Sequence, residues 1–171
     1  MATLTIPRSS LVLLIGASGA GKSTFARKHF KPTEIVSSDH CRALVCDDEN
    51  DQSASRDAFE LVRLIAGKRL ARGRLTVVDA TNVQAAARRD LHKIAVRHSL
   101  PVIAIVFDLL EKVCATHNHE RGTRVVPLAI IRRQIRHLRA SLPKLAKEGF
   151  ARVCVLETRS AVDTLKIRRI R

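Results

Sequence analysis

The chain has 171 residues, 31 Lys and Arg against 16 Asp and Glu, a formal charge of +15 at pH 7 and a pI near 11. That length suits one domain with a real core. No apolar run approaches the about 20 residues of a helical membrane span, and no membrane partner is expected. Such basicity is the footprint of a polyanion binder, the other reading being a charged surface that aids solubility. Residues 1–110 hold 16 basic and 11 acidic residues, residues 111–171 hold 15 and 5, so the excess sits in the last third. Trp and Tyr are absent and Phe numbers five, which leaves few stacking platforms for unpaired bases. Cys41, Cys46, Cys114 and Cys154 form no C-x-x-C pair, which argues against a zinc or redox motif. No signal peptide opens the chain, and the expected location is the cytoplasm.

In chain order, Leu11–Ile15 is an apolar strand, followed by Gly16-Ala-Ser-Gly-Ala-Gly-Lys22-Ser23-Thr24 and a helical run to His29. Ile35-Val36 is a second strand, leading into Ser37-Ser38-Asp39. Phe59, Val62, Ala66 and Leu70 share a helical face that Gly73 ends, and Leu75–Val78 is the third strand. Ala87, Leu91, Ile94 and Ala95 mark another helix, and Val102–Phe107 a fourth strand. Thr116–Pro127 reads as a loop. Leu128, Ile131, Ile135, Leu138 and Leu142 then form one stripe of a helix that carries Arg132, Arg133, Arg136 and Arg139 on its other faces. Pro143 is expected to break it, Gly149 to end the turn that follows, and Val153–Leu156 to form the fifth strand. Continuous apolar strands alternating with helices predict an α/β fold with a five-stranded parallel sheet. The expected organisation is one domain over 1–171, with 114–150 either a basic helical lid or a plain amphipathic surface helix.

The glycine-rich run fits G-x-x-x-x-G-K-[ST] in a strand–loop–helix setting, a phosphate-binding loop of the P-loop kinase type. Gly16, Ser18, Gly19, Ala20, Gly21, Lys22, Ser23 and Thr24 are the candidate nucleotide-binding residues. In that motif Lys22 bridges the β- and γ-phosphates of ATP and Ser23 ligates Mg2+. Asp39 ends the second strand at the same sheet edge, where a carboxylate can take a proton from an acceptor hydroxyl; a helix N-cap is its other reading. Arg42, one helical turn on, either grips a phosphate or pairs with Asp39 or the acidic run at 47–49. Asp79 ends the third strand as a metal-organising acid does, or else hydrogen-bonds its neighbours. Asp108 reads as structural. His117, His119 and Glu120 read as loop residues rather than metal ligands.

The run from Ser18 to Arg42, Asp47–Ala54, Gly67–Val83, Ala104–Asp108, Arg132–Arg136 and Glu148–Phe150 closely resemble the kinase domain of bacterial polynucleotide kinase-phosphatase, an RNA-repair enzyme. The resemblance covers nearly the whole chain. It implies a 5′-hydroxyl polynucleotide kinase that uses ATP and Mg2+ on single-stranded RNA or DNA ends. In that pattern Asp39 is the general base, Arg42 grips the acceptor phosphate and Gln52 lies near the acceptor. In that pattern an arginine of the lid reaches the ATP phosphates; here either Arg121 or Arg124 takes over that role, or catalysis is weakened. The family pattern has arginines where this chain has His117 and His119, so a short, mostly neutral side chain stands where a permanent cation is expected. The resemblance also implies phosphatase and ligase domains or subunits working beside this module. Two rivals share the core: a small-metabolite kinase, and a nucleotide-dependent RNA-binding switch without transfer.

Overall fold

A computed structural model describes residues 2–122 and 125–171. Five parallel strands form the main sheet: β2 (Leu11–Gly16), β3 (Ile35–Ser37), β4 (Thr76–Asp79), β5 (Val102–Phe107) and β6 (Arg152–Leu156), in the order β3-β4-β2-β5-β6. Every residue of β2, β4 and β5 is buried, as apolar runs sandwiched between helices must be. Alternate residues feed two cores. Val12 and Leu14 face one that holds Phe25, Ala26 and Ile131, and Leu11, Leu13 and Ile15 face the other with Val62, Leu70 and Leu91.

The helices are α1 (Lys22–His29), α2 (Ser38–Cys46), α3 (Ser55–Ala71), α4 (Ala85–Arg97), α5 (Glu111–Glu120), α6 (Leu128–Leu145) and α7 (Arg159–Thr164). Short 3-10 turns occupy Pro32–Glu34 and Gln52–Ala54. Within α3 the buried face is Ala58, Val62, Ala66 and Leu70, with Phe59 half-buried at its margin. Gly73, at φ +61°, follows the helix as expected.

Three expectations need correction. Residues 116–120, expected in a loop, belong to α5. The inward positions of that helix are Cys114 and Asn118, 1% and 4% exposed, and so lack the aliphatic stripe that advertises a helix. Pro143 does not break α6 but sits inside it. It lies in the last turn, where one lost hydrogen bond to the carbonyl of solvent-exposed Arg139 costs little. The strand inventory was also short by two: β1 (Thr3–Pro7) and β7 (Lys166–Ile170) form a separate parallel pair, in register from Thr3 opposite Lys166 to Pro7 opposite Ile170. Leu4 and Ile6 bury this pair against the first core.

Helix α6 is anchored, not perched. Ile131 and Ile135 enter the first core, Leu138 and Leu145 the second. Arg132 pairs with Glu111 at 2.8 Å and Arg139 with Asp108 at 3.1 Å, both solvent-exposed contacts worth little individually. A stronger tie lies inside. Arg88 is 1% exposed, donates through Nε and one terminal nitrogen to the Glu148 carboxylate at 2.8 and 2.6 Å, and through the other to the Asn82 carbonyl at 2.8 Å. That pair joins α4 to the turn that follows α6, while the Asn82 bond holds the β4–α4 loop.

Candidate active site

The site lies at the carboxyl ends of β2, β3 and β4, where open α/β sheets hold ligands. Gly19 and Gly21 have φ of +81° and +89°, a backbone that L side chains rarely adopt. A Cβ at Gly19 would stand 2.1 Å from the Cys114 carbonyl oxygen, so α5 packs directly on the loop and only glycine fits. Gly16 donates its N–H to the Thr81 carbonyl at 2.9 Å, and Asn82 donates Nδ2–H to the Leu14 carbonyl at 2.8 Å, which ties the loop to the β4–α4 turn. The Ser18 N–H donates to Gln134 Oε1 of α6 at 2.8 Å.

Lys22 is the first residue of α1, 7% exposed, with Nζ donating to the carbonyls of Gly16 and Ala17 at 2.9 and 2.8 Å. Burial pushes its pKa down from 10.5 to about 8; the Asp79 carboxylate opposes this, the Arg121 guanidinium adds to it, and Asp39 opposes it weakly. Those four residues therefore share one electrostatic neighbourhood.

Asp39 does not cap its helix. Ser37 does, its hydroxyl accepting from the His40 N–H at 3.3 Å, which leaves the Asp39 carboxylate in the first turn and turned to the site. Arg42, 4% exposed, donates to Asp39 Oδ1 at 3.0 Å and to the Glu49 carbonyl at 2.8 Å. This is the ion pair weighed from the sequence, with one difference: the guanidinium is buried, and its Nε has no hydrogen-bond partner among the described residues. Asp79, 7% exposed, stands at the end of β4.

Lys22, Ser23, Asp39, Arg42, Gln52, Asp79 and Arg121 all line one cavity of about 520 Å3, with Ser18, Arg133 and Gln134 on its α6 side. A neighbouring cavity of about 750 Å3 shares Ser23, Asp39, Asp79 and Arg121 and extends past Arg27 to Pro32 and Ile35. On the other side of the loop, Gly19, Ala20, Gly21, Thr24, His117, Arg121 and Arg159 line a smaller pocket of about 300 Å3. Arg124 lies outside the described residues. A loop built from positive-φ glycines, a buried lysine and a helix start fits a triphosphate. The Ser23 hydroxyl and the Asp79 carboxylate are the hard oxygen donors that Mg2+ takes alongside phosphate oxygens. No group of three His, Cys, Asp or Glu able to hold a metal occurs among the described residues.

The sequence missed three contributors. Gln134, the uncharged polar residue of Arg132-Arg-Gln-Ile-Arg136, is the first, reaching the phosphate loop from α6. Asn118 donates Nδ2–H to the Val126 carbonyl at 2.8 Å and accepts the Val126 N–H at 3.0 Å, tying α5 to the residues just before α6. His117 Nδ1 lies 3.1 Å from the Gly19 carbonyl oxygen, and Arg159 of α7 contacts the same ring. A guanidinium thus stands beside His117, brought from 42 residues away.

A family model described as an AAA domain matches residues 11–145. Among solved structures, a chain of the Pnkp1/Rnl/Hen1 RNA repair complex is 22% identical with a TM-score of 0.70, over 82% of this chain and 47% of that one. This chain therefore spans about half the length of that relative. A chain from the PezAT chromosomal toxin–antitoxin system of Streptococcus pneumoniae is 16% identical with a TM-score of 0.66, over 93% and 72%. A gluconokinase from Sinorhizobium meliloti is 16% identical with a TM-score of 0.57, over 92% and 87%. Among curated proteins none matches the chain in sequence. At these identities the structures speak for the fold alone, a five-stranded α/β P-loop kinase fold, while the match over residues 11–145 carries the assignment: the chain belongs to the AAA domain family.

Proposed function

We propose that the protein is a polynucleotide 5′-hydroxyl kinase. The observation that carries this reading is the sharing of one cavity of about 520 Å3 by Lys22, Asp39 and Arg42: an anion cradle, a carboxylate and a buried guanidinium. When bound, ATP supplies the γ-phosphoryl group and Mg2+ the charge that offsets its oxygens. The glycine-rich loop and Lys22 hold the phosphates, with Ser23 and Asp79 on the metal side. Asp39 would accept the proton of the terminal 5′-hydroxyl as that oxygen bonds to the γ-phosphorus and the bond from phosphorus to the β,γ-bridging oxygen breaks, with ADP as the leaving group. Arg42, pinned by Asp39 and Glu49, orients the first phosphate of the acceptor strand, with Gln52 at the cavity wall. Arg121 places a permanent cation by the transferring group, and Arg124 follows it in the chain as the second candidate. The strand's backbone is held by charge rather than stacking, in keeping with +15 and five aromatic residues. Single-stranded RNA or DNA ends are the substrates. Phosphatase and ligase domains or subunits are the companions of such a module in the cytoplasm. The similarity in fold to a chain of an RNA repair complex supports this reading.

Transfer of labelled γ-phosphate is the test, with a 5′-OH oligonucleotide, a panel of nucleosides, and gluconate as acceptors. Label in the oligonucleotide alone, falling steeply with added salt, is the expected result. Label in gluconate or a nucleoside instead would make this a small-molecule kinase. Nucleotide binding with no transfer to any acceptor would make it a nucleotide-dependent switch.

A further inference from the structure

At the other end of the sheet lies a groove of about 1130 Å3 that the phosphate loop does not explain. Arg8 precedes β2, Lys31 precedes β3 and Arg74 precedes β4, so three separate segments each bring a cation to the amino ends of adjacent strands. The last turns of α3 add Lys68, Arg69 and Arg72. Cations at a helix C-terminus are favoured by its dipole, which accounts for the α3 residues but not for the three that precede strands. Glu34 is the carboxylate among the lining residues, and Arg169 already engages it through two bonds of 2.8 and 2.7 Å. Arg69 has one terminal nitrogen on the Leu75 carbonyl at 2.8 Å, while its buried Nε has no partner among the described residues. Like charges packed this way repel one another unless an anion joins them.

The groove also adjoins the catalytic side across a single turn. Along the short turn before β3, Pro32 and Ile35 face the cavity that contains Asp39, while Lys31, Thr33 and Glu34 face the groove. β3 has three residues, so about 10 Å of sheet edge separates the two ends, with Arg27 on the way. An occupant must be extended, polyanionic and able to turn this edge. No aromatic side chain lines the groove to anchor a protein partner. We infer that the groove holds the sugar–phosphate backbone of a single-stranded nucleic acid whose 5′ end lies in the catalytic cleft, an assignment that rests on the kinase reading above. It implies that the acceptor passes around the β3 edge and that strand length is read far from the reacting atoms.

Lys68, Arg72 and Arg74 are exposed and remote from the catalytic residues, so K68A/R72A/R74A should fold normally. Binding of a fluorescent 5′-OH single strand of about 16 nucleotides is measured by anisotropy across salt concentrations, without ATP. The expected result is affinity weakened about tenfold at low salt and a log–log salt slope smaller by about 2, for three phosphate contacts at about 0.7 each. Transfer to a 5′-OH dinucleotide, too short to reach the groove, is expected to keep its kcat/KM. A control triple on the α4 and α6 side, R89A/K93A/K147A, removes the same charge and is expected to leave binding within about twofold. Equal affinity and slope in the groove variant and the unmodified protein would overturn the inference, as would equal losses in both triples or an equal loss on the dinucleotide. Absence of transfer to any oligonucleotide would defeat the kinase reading instead, and the binding comparison would still decide the groove.

Discussion

Nucleotide binding is expected to be coupled to proton uptake by Lys22. With its pKa lowered to about 8, this lysine is about one quarter protonated at pH 8.5 in the nucleotide-free protein. Phosphate oxygens beside Nζ favour the charged form and return the pKa to or above its ordinary 10.5. Binding at pH 8.5 should therefore take up about 0.75 proton, and at pH 7 only about 0.1; an unshifted lysine would give about 0.01 at pH 8.5. The thiols of Cys41, Cys114 and Cys154 are pushed up by burial and stay out of this window. Titration calorimetry of ATP binding in two buffers of different ionisation enthalpy reads the proton count directly. The same shift has a stability signature with a definite sign. The folded state disfavours the charged lysine, so it binds fewer protons than the unfolded chain between pH 8 and 10.5, and stability rises with pH across that interval. A drop from 10.5 to about 8 corresponds to about 3 kcal/mol for this single group. K22R, whose guanidinium does not titrate in this range, should remove both effects. Uptake below about 0.2 proton at pH 8.5 would refute the claim that the nucleotide-free loop holds Lys22 in a desolvated state.

Other outcomes can be checked alongside. D39N keeps an oxygen to accept from Arg42 but cannot take a proton; transfer should fall about a hundredfold or more while ATP affinity, read by calorimetry, changes little. R159A should weaken ATP binding about tenfold if this guanidinium supplies the charge that His117 lacks, and equal affinity would remove that role. E148A leaves the guanidinium of Arg88, 1% exposed, without its carboxylate, and urea unfolding should show a loss of about 3 kcal/mol; Glu148 is 22% exposed, which holds the expectation at the lower end for such pairs.

The main sheet was legible because β2, β4 and β5 are buried on both faces and so are written as unbroken apolar runs. The phosphate loop was legible for a different reason: Gly19 and Gly21 adopt conformations that few other residues allow. That Asp39 and Asp79 lie at one sheet edge was legible from topology, since Asp79 ends β4 opposite Ser37 of β3 and Asp39 follows that strand end by two residues, in the first turn of α2. What escaped is held by contacts distant in sequence. β7 reads Lys-Ile-Arg-Arg-Ile and becomes a strand because β1 lies beside it. α5 hides its inward face behind Cys114 and Asn118, whose burial is set by Gly19 and Val126. Gln134 reaches Ser18 across 116 positions, and no local pattern marks such a bond. Arg159 and His117 come together only through the placement of α7.

The parallel pairing of Thr3–Pro7 with Lys166–Ile170 has a consequence for how the molecule is made. During synthesis the phosphate loop and the first strands emerge early, yet the opening strand waits for a partner that leaves the ribosome about 160 residues later. Arg169, which clasps Glu34, and Arg159, which reaches the loop from outside, arrive with α7 and β7. A nascent chain lacking it would present Leu4 and Ile6 to solvent and a nucleotide pocket with one wall missing. Closure of that pocket in this sense waits on contacts made long after the loop itself has emerged.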